Sequence, residues 1–240
     1  MQNIQSDKKS NVTSMFDNIA HSYDFLNHFL SFGTDRIWRK KAIRIISESF
    51  KNPRIVDVAA GTADLSIAAI KIDPEHITGI DISAGMLEIG REKIKRKHLD
   101  DKINLILGDS EKLPFANDHF DVAMVAFGVR NFADPLKGLS EMTRVIRKGG
   151  MVLVLEFSKP VKPPVRQLYF FYFLNVLPLI GRLFSKNKKA YSYLPESVMQ
   201  FPDNEHFKKL MSEAGLSSVK QKRLTMGVAS IYTGIKEAKQ

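Results

Sequence analysis

Asp57, Gly61, Asp64 and Asp81 are spaced for the recognition of a nucleoside. The run Val56-Asp57-Val58-Ala59-Ala60-Gly61-Thr62-Ala63-Asp64 takes a short apolar stretch through an acid and a turn of small residues towards a helix. Gly79-Ile80-Asp81-Ile82 ends a second apolar stretch in another acid, twenty residues after Gly61. A tight turn at one strand end, with a carboxylate at the end of the next, is how an α/β sheet binds ribose hydroxyls.

The charges narrow the nucleoside. A dinucleotide fingerprint uses three glycines so that the backbone can approach a pyrophosphate at a helix N-terminus. Here the corresponding positions are Ala59, Gly61 and Ala63, and Asp57 and Asp64 bracket the turn. Two carboxylates at that helix end repel a pyrophosphate and tolerate a cation. S-adenosylmethionine carries a sulfonium and an ammonium and no phosphate, so this pattern favours it over a nicotinamide cofactor. Leu105-Ile-Leu107 leads into Gly108-Asp109-Ser110, placing a third acid where it can accept from an adenine amino group. Taken singly, an acid such as Asp81 is more often a helix cap than a ligand, and one such as Asp109 more often a turn residue.

Regular alternation of elements must bring these strand ends together. Strands are expected near 54–59, 77–81, 103–107, 120–127 and 150–157, with helices near 63–72, 84–98 and 135–147. Ser83 and Asp134 read as helix caps, and Gly149-Gly150 as a helix stop. Such alternation implies a parallel sheet with helices on both faces. A helix near 203–214, capped by Asp203 and stopped by Gly215, precedes strands near 217–224 and 228–236. Thr225-Met226-Gly227 is too short for a parallel crossover, so this last pair is antiparallel. The fold class is α/β: a seven-stranded, mostly parallel, Rossmann-like sheet with a terminal antiparallel hairpin, as in the class I methyltransferases. Ahead of it, Val12, Met15, Phe16, Ile19, Tyr23, Leu26 and Leu30 recur at helical spacing up to Gly33. A further helix runs from Thr34, read as its cap, through Trp38 to about Phe50.

Length and composition fit one domain. The chain has 240 residues, 44% of them hydrophobic and 26% charged, and no cysteine, which excludes disulfides and thiol chemistry. The domain is read as 1–240, with a disordered tail at 1–11, a helical N-terminal lid at 12–50 and an aromatic and basic insertion at 160–200. The polar N-terminus lacks an apolar export signal, so a cytoplasmic protein is expected. Net charge is +10, and Lys159 to Pro195 holds seven basic residues and no acid. Within it, Leu168 to Ile180 is thirteen residues of nearly continuous apolar and aromatic character, short of the roughly 18 needed to cross a bilayer. It suits a membrane interface, the lining of an apolar cleft, or a buried helix with solvated basic ends. RNA binding fits less well, because the cations flank the aromatics instead of interleaving with them.

Several motifs together carry a family likeness. Asp57-Val-Ala-x-Gly-Thr-x-Asp64, Phe127-Gly-Val-Arg-Asn131 and Leu155-Glu-Phe-Ser158 resemble the quinone C-methyltransferases. So do Met15-Phe-Asp-x-Ile-Ala20 with Tyr23-Asp24, and Ala190-Tyr-x-Tyr-Leu-Pro-x-Ser197 with Phe201-Pro202. That family includes the demethylmenaquinone and ubiquinone-precursor enzymes, and the likeness runs from about Val12 to Lys236. It implies S-adenosyl-L-methionine as cofactor, with Gly61 and Thr62 around its methionine part, Asp81 on the ribose, and Asp109 with Ser110 on the adenine. Asp57 would support the turn, or cap the strand end structurally. Ala63 stands where glycine is usual, adding one methyl to the loop. Ala126 stands where some relatives have serine, so a contact there does not transfer.

The implied reaction is C-methylation of a polyprenylated demethylmenaquinol, the last step of menaquinone synthesis, without a metal. A reduced naphthoquinol is electron-rich, and losing a phenolic proton raises electron density at the adjacent carbon. Arg130, to stabilise a phenolate, and Asn131, to orient a hydroxyl or water, are the catalytic candidates. The alternative for Arg130 is a structural pair with a carboxylate such as Asp134. Tyr23, Tyr191 and Tyr193 are candidates for the ring pocket or the core, and His21 for lid packing. A lipid-soluble substrate implies peripheral contact with an anionic membrane surface, with Lys186, Lys188 and Lys189 near the headgroups. Other readings are a ubiquinone precursor or another apolar small molecule as substrate, an RNA methyltransferase, and a nicotinamide-dependent reductase. No nucleic-acid partner is expected.

Overall fold

Alternating apolar residues build the centre of the molecule. In the computed structural model, which describes residues 9–10, 12–17, 20, 33–172, 175, 193 and 196–237, seven strands form one sheet. They are β1 (Arg54–Val58), β2 (His76–Asp81), β3 (Ile103–Leu107), β4 (Phe120–Ala126), β5 (Ile146–Phe157), β6 (Leu216–Leu224) and β7 (Ala229–Lys236). Their order is β3-β2-β1-β4-β5-β7-β6. The first five are mutually parallel, and β7 lies antiparallel between β5 and β6. The expected hairpin is therefore present, joined by a turn at Thr225–Gly227.

Both faces of the central strands are covered, so β4 and the second half of β5 read as nearly continuous apolar runs. The helices are α1 (Thr34–Ser49), α2 (Asp64–Ala69), α3 (Ala84–Arg96), α4 (Pro135–Val145), α5 (Val165–Phe171) and α6 (Glu205–Glu213). Ile55, Met124 and Leu153 face one core with Trp38 and Ile46 of α1 and Leu87 of α3. Their chain neighbours Val56, Val125 and Val154 face the other, with Leu139 and Met142 of α4 and Phe207 of α6. Every one of these side chains is essentially buried.

Local signals set most helix ends. Ser83 caps α3 by accepting from Met86 N, and Asp134 caps α4 by accepting from Lys137 N, with Pro135 at the first helical position. Three ends differ from expectation. Gly33, in the left-handed region at φ 71°, precedes α1, and Thr34 is its first helical residue. The helix expected to stop at Gly149-Gly150 ends at Val145, because β5 already starts at Ile146. Asp203 does not cap α6; its carboxylate accepts from Lys159 N at 2.8 Å, and Asn204 holds the cap position.

Ahead of α1, residues 9–10, 12–17 and 20 are helical, so part of the segment expected as a tail and lid has defined structure. His21, Tyr23, Tyr191 and Lys186–Lys189 lie outside the described residues.

Candidate active site

The site forms where the strand order reverses. β2 lies on one side of β1 and β4 on the other, so the loops after β1 and β4 diverge and leave a crevice at their C-terminal ends. The turn after β1 is left-handed at all three small positions, with φ of 55° at Ala59, 54° at Gly61 and 65° at Ala63. The two alanines each cost about 1–2 kcal/mol there. The Ala63 methyl, expected to crowd the loop, packs in the core beneath α1 and α2. Ala60 N donates to Ile80 O at 3.0 Å, which docks the turn on β2.

Asp81 ties this turn to the next. Its Oδ2 accepts from Gly61 N and its Oδ1 from Ser83 N, both at 2.8 Å. Each oxygen keeps acceptor capacity for a ribose hydroxyl. Burial pushes the Asp81 carboxyl up, against the lowering effect of those backbone donors. Asp57 sits deeper, accepting from Ser66 Oγ at 2.6 Å, and burial raises it to about 7. It supports the turn from below.

At the tip of β3, Asp109 Oδ1 accepts from Glu111 N at 2.8 Å, while Oδ2 receives Lys9 Nζ at 2.7 Å. Lys9 also lies 2.8 Å from Glu111 Oε2. Glu111 is buried, and its Oε1 accepts from Ala133 N and Asp134 N, fastening the loop after β4 to the one after β3. On the β2 side, Asp17 Oδ1 accepts from Ser83 Oγ at 2.5 Å and from Gly85 N at 3.1 Å. The N-terminal segment thus spans the mouth of the crevice, held at Asp109 and at Ser83. Sequence reasoning missed Lys9 and Glu111, and saw Asp17 only as part of a motif.

Gly61, Asp81, Asp109, Ser110 and Asn131 line one cleft. Ala126 and Phe127 at the end of β4 form its inner wall. Thr62 lies outside this cleft, lining a smaller adjoining cavity, with its Oγ1 2.9 Å from Lys93 Nζ. Close packing fixes the wall: a Cβ on Gly128 would stand 2.7 Å from Ala59 Cβ.

Arg130 does not line the cleft. It is buried behind the wall, paired with Glu156 Oε1 at 2.8 Å and donating to Phe127 O. The carboxylate it meets is therefore Glu156 on the neighbouring strand, not Asp134. Burial raises Glu156, against the lowering effect of Arg130. Arg130 stacks 5.5 Å from the Phe157 ring, and its Nε has no partner among the described residues. Asn131 Oδ1 accepts from Tyr193 OH at 3.0 Å. Burial raises the Tyr193 hydroxyl.

Comparison with known proteins agrees with this geometry. The model of the ubiE/COQ5 methyltransferase family matches residues 1–236. The chain belongs to that family. It is 46% identical over 230 residues to the demethylmenaquinone methyltransferase of Bacteroides fragilis, covering 95% of this chain and 94% of that one. It is 47% identical over 233 residues to the ubiquinone/menaquinone biosynthesis C-methyltransferase of Geotalea daltonii, covering 96% and 98%. Among solved structures, a methyltransferase from Thermotoga maritima matches with a TM-score of 0.65 at 19% identity, covering 94% of this chain and all of that one. A phosphoethanolamine methyltransferase from Haemonchus contortus, solved with S-adenosyl-L-methionine, matches with a TM-score of 0.59 at 12% identity, covering 82% and 52%. These two likenesses concern the fold.

The protein is an S-adenosylmethionine-dependent C-methyltransferase. The donor set suits that cofactor: Asp81 and Asp109, at the ends of β2 and β3, face one groove beside Gly61, and Lys9, its one lining cation among the described residues, is engaged by Asp109 and Glu111. A pyrophosphate would meet net negative charge there.

Proposed function

We propose that this methyltransferase acts on the reduced, polyprenylated ring of a quinone precursor, and that the ring is 2-demethylmenaquinol. The similarity to a demethylmenaquinone methyltransferase carries the reading. The Phe127-Gly-Val-Arg-Asn131 loop supports it, because that loop supplies Asn131 and Phe127 to the wall of the cleft. The cofactor supplies the methyl group as an electrophile attached to a sulfonium. Asp81, Asp109 and Ser110 hold its nucleoside, so the transferable group is fixed relative to the loop after β4. Asn131, itself oriented by Tyr193, hydrogen-bonds a ring hydroxyl. Arg130, buried behind the wall and held by Glu156, donates to Phe127 O and so positions the loop that presents Asn131.

A lipid-soluble substrate requires access to a membrane surface, and one edge of the molecule suits this. Leu168 and Phe171 on α5 are 66% and 62% exposed while Tyr169 between them packs against Val198, so the helix buries one face and presents an apolar one outwards. Met226 is 73% exposed, and its neighbour Thr225 accepts from Trp38 Nε1 in α1, which also carries the exposed Ile37. These residues surround the end of β5 on the site's side of the sheet. With Lys162 and Arg166 beside them, they form a peripheral contact for an anionic bilayer from the cytoplasmic side. No helix among the described residues is long and apolar enough to cross a membrane.

Incubation with labelled S-adenosylmethionine and either reduced demethylmenaquinone or a reduced ubiquinone precursor tests the assignment. Label in the naphthoquinol product alone supports it; label only in the benzoquinol moves the protein to the other pathway. Flotation with anionic vesicles at low and high salt tests the contact, and absence from the lipid fraction in both would remove it.

A further inference from the structure

The cleft accounts for the nucleoside of the cofactor but not for its amino-acid end. That end is a zwitterion, and its carboxylate needs a cation. Lys9 is at the adenine end, between Asp109 and Glu111.

A second cavity continues past the turn. It shares Ala59, Gly61, Ala126 and Phe127 with the main cleft. Among the described residues its one lining cation is Arg39 of α1. Arg39 is 7% exposed and lies 5.8 Å from the Phe127 ring. One terminal nitrogen donates to Asp35, and the other is 3.5 Å from Asp64. Its Nε has no hydrogen-bond partner among the described residues. A buried, unused guanidinium donor next to a cavity is the mark of a missing acceptor. A guanidinium also presents Nε and one terminal nitrogen side by side, the geometry that grips a carboxylate with two bonds. Asp64 lines the same cavity and gives it a negative side for the ammonium.

We infer that Arg39 binds the methionyl carboxylate of S-adenosylmethionine, with Nε as a donor, and thereby sets how far the sulfonium reaches towards the loop after β4. The inference depends on the cofactor alone and not on the identity of the quinol. Asp35, one turn earlier in α1, pre-positions the guanidinium for this role.

Calorimetric titration with S-adenosylhomocysteine and with its decarboxylated analogue tests it. The intact protein is expected to bind the analogue at least tenfold more weakly. Arg39→Gln is expected to weaken S-adenosylhomocysteine by ten- to a hundredfold while leaving the analogue's affinity within about twofold. Equal affinity of the intact protein for both ligands would overturn the inference, and so would an equal loss for both in Arg39→Gln. If that variant does not fold, the comparison in the intact protein still decides. Neither titration contains a quinol, so failure here leaves the substrate assignment standing.

Discussion

Asp81 closes the turn after β1 by accepting the Gly61 N–H at 2.8 Å, so the residue assigned to the ribose also holds the backbone on which the methionine part must rest. Asp81→Asn puts an amide N–H₂ where one of two backbone donors, Gly61 N or Ser83 N, needs an acceptor. A charge-assisted bond is worth about 1.5–3 kcal/mol. S-adenosylhomocysteine affinity should fall by roughly 10- to 100-fold by calorimetry. An affinity within a factor of two would show that Asp81 is only a loop tie.

Gly128 and Ala59 come from opposite sides of the crevice. A methyl on Gly128 would lie 2.7 Å from Ala59 Cβ and 3.0 Å from Val125 Cγ2, neither of which is a flexible chain end. Gly128→Ala must therefore move the left-handed turn, at about 1–3 kcal/mol. The expected result is a lower melting temperature together with weaker cofactor binding. Unchanged binding would mean that the loop yields freely.

Glu156 neutralises Arg130 where no water reaches either. Glu156→Gln keeps an acceptor but strands the guanidinium charge, and breaking such a buried pair costs about 3–5 kcal/mol. For a chain of this length the melting temperature should drop by roughly 10 °C. A shift near zero would indicate that Arg130 finds another counter-charge.

Tyr193 OH donates to Asn131 at 3.0 Å, across sixty-two positions of sequence. Tyr193→Phe frees the Asn131 amide to rotate without altering the cofactor groove. The turnover number should fall about tenfold, the equivalent of one hydrogen bond near 1.4 kcal/mol, with cofactor KM unchanged. A rise in cofactor KM instead would place Tyr193 in the nucleoside site.

Asp57 gives a pH signature. Burial raises its carboxyl from 3.8 to about 7, so between those values the folded state holds a proton that the unfolded chain has lost. Stability contributed by this group is therefore fullest near pH 4, declines as pH rises to 7, and is constant beyond. Asp57→Asn removes the titration. The melting temperature of the variant minus that of the parent should climb from pH 4 to 7 and then level off. A difference independent of pH would refute the assignment.

What the sequence revealed and what it hid divide by distance along the chain. The Gly61–Asp81 spacing, the caps at Ser83 and Asp134 and the terminal hairpin are local patterns, legible because turns and caps use few residue types. Arg130 reads from the sequence as a catalytic candidate or as the partner of a nearby carboxylate such as Asp134, whereas the carboxylate it meets is Glu156, brought alongside by parallel pairing of β4 and β5. Lys9 meets Asp109 across one hundred positions, which no periodicity reports. Gly149 and Gly150 looked like a helix stop because glycine ends helices. Here Gly149, at φ 74°, lies in the opening of β5, and Gly150 has no room for a side chain beside Asp121 O.

Because β7 threads between β5 and β6, the last strand of this sheet to be synthesised supplies the neighbour that both earlier ones await. Until residue 236 is available, β5 offers a bare apolar border to any passing chain. Molecules that lack β7 should therefore be the aggregation-prone species, and the arrival of that strand the event that commits the sheet to solubility.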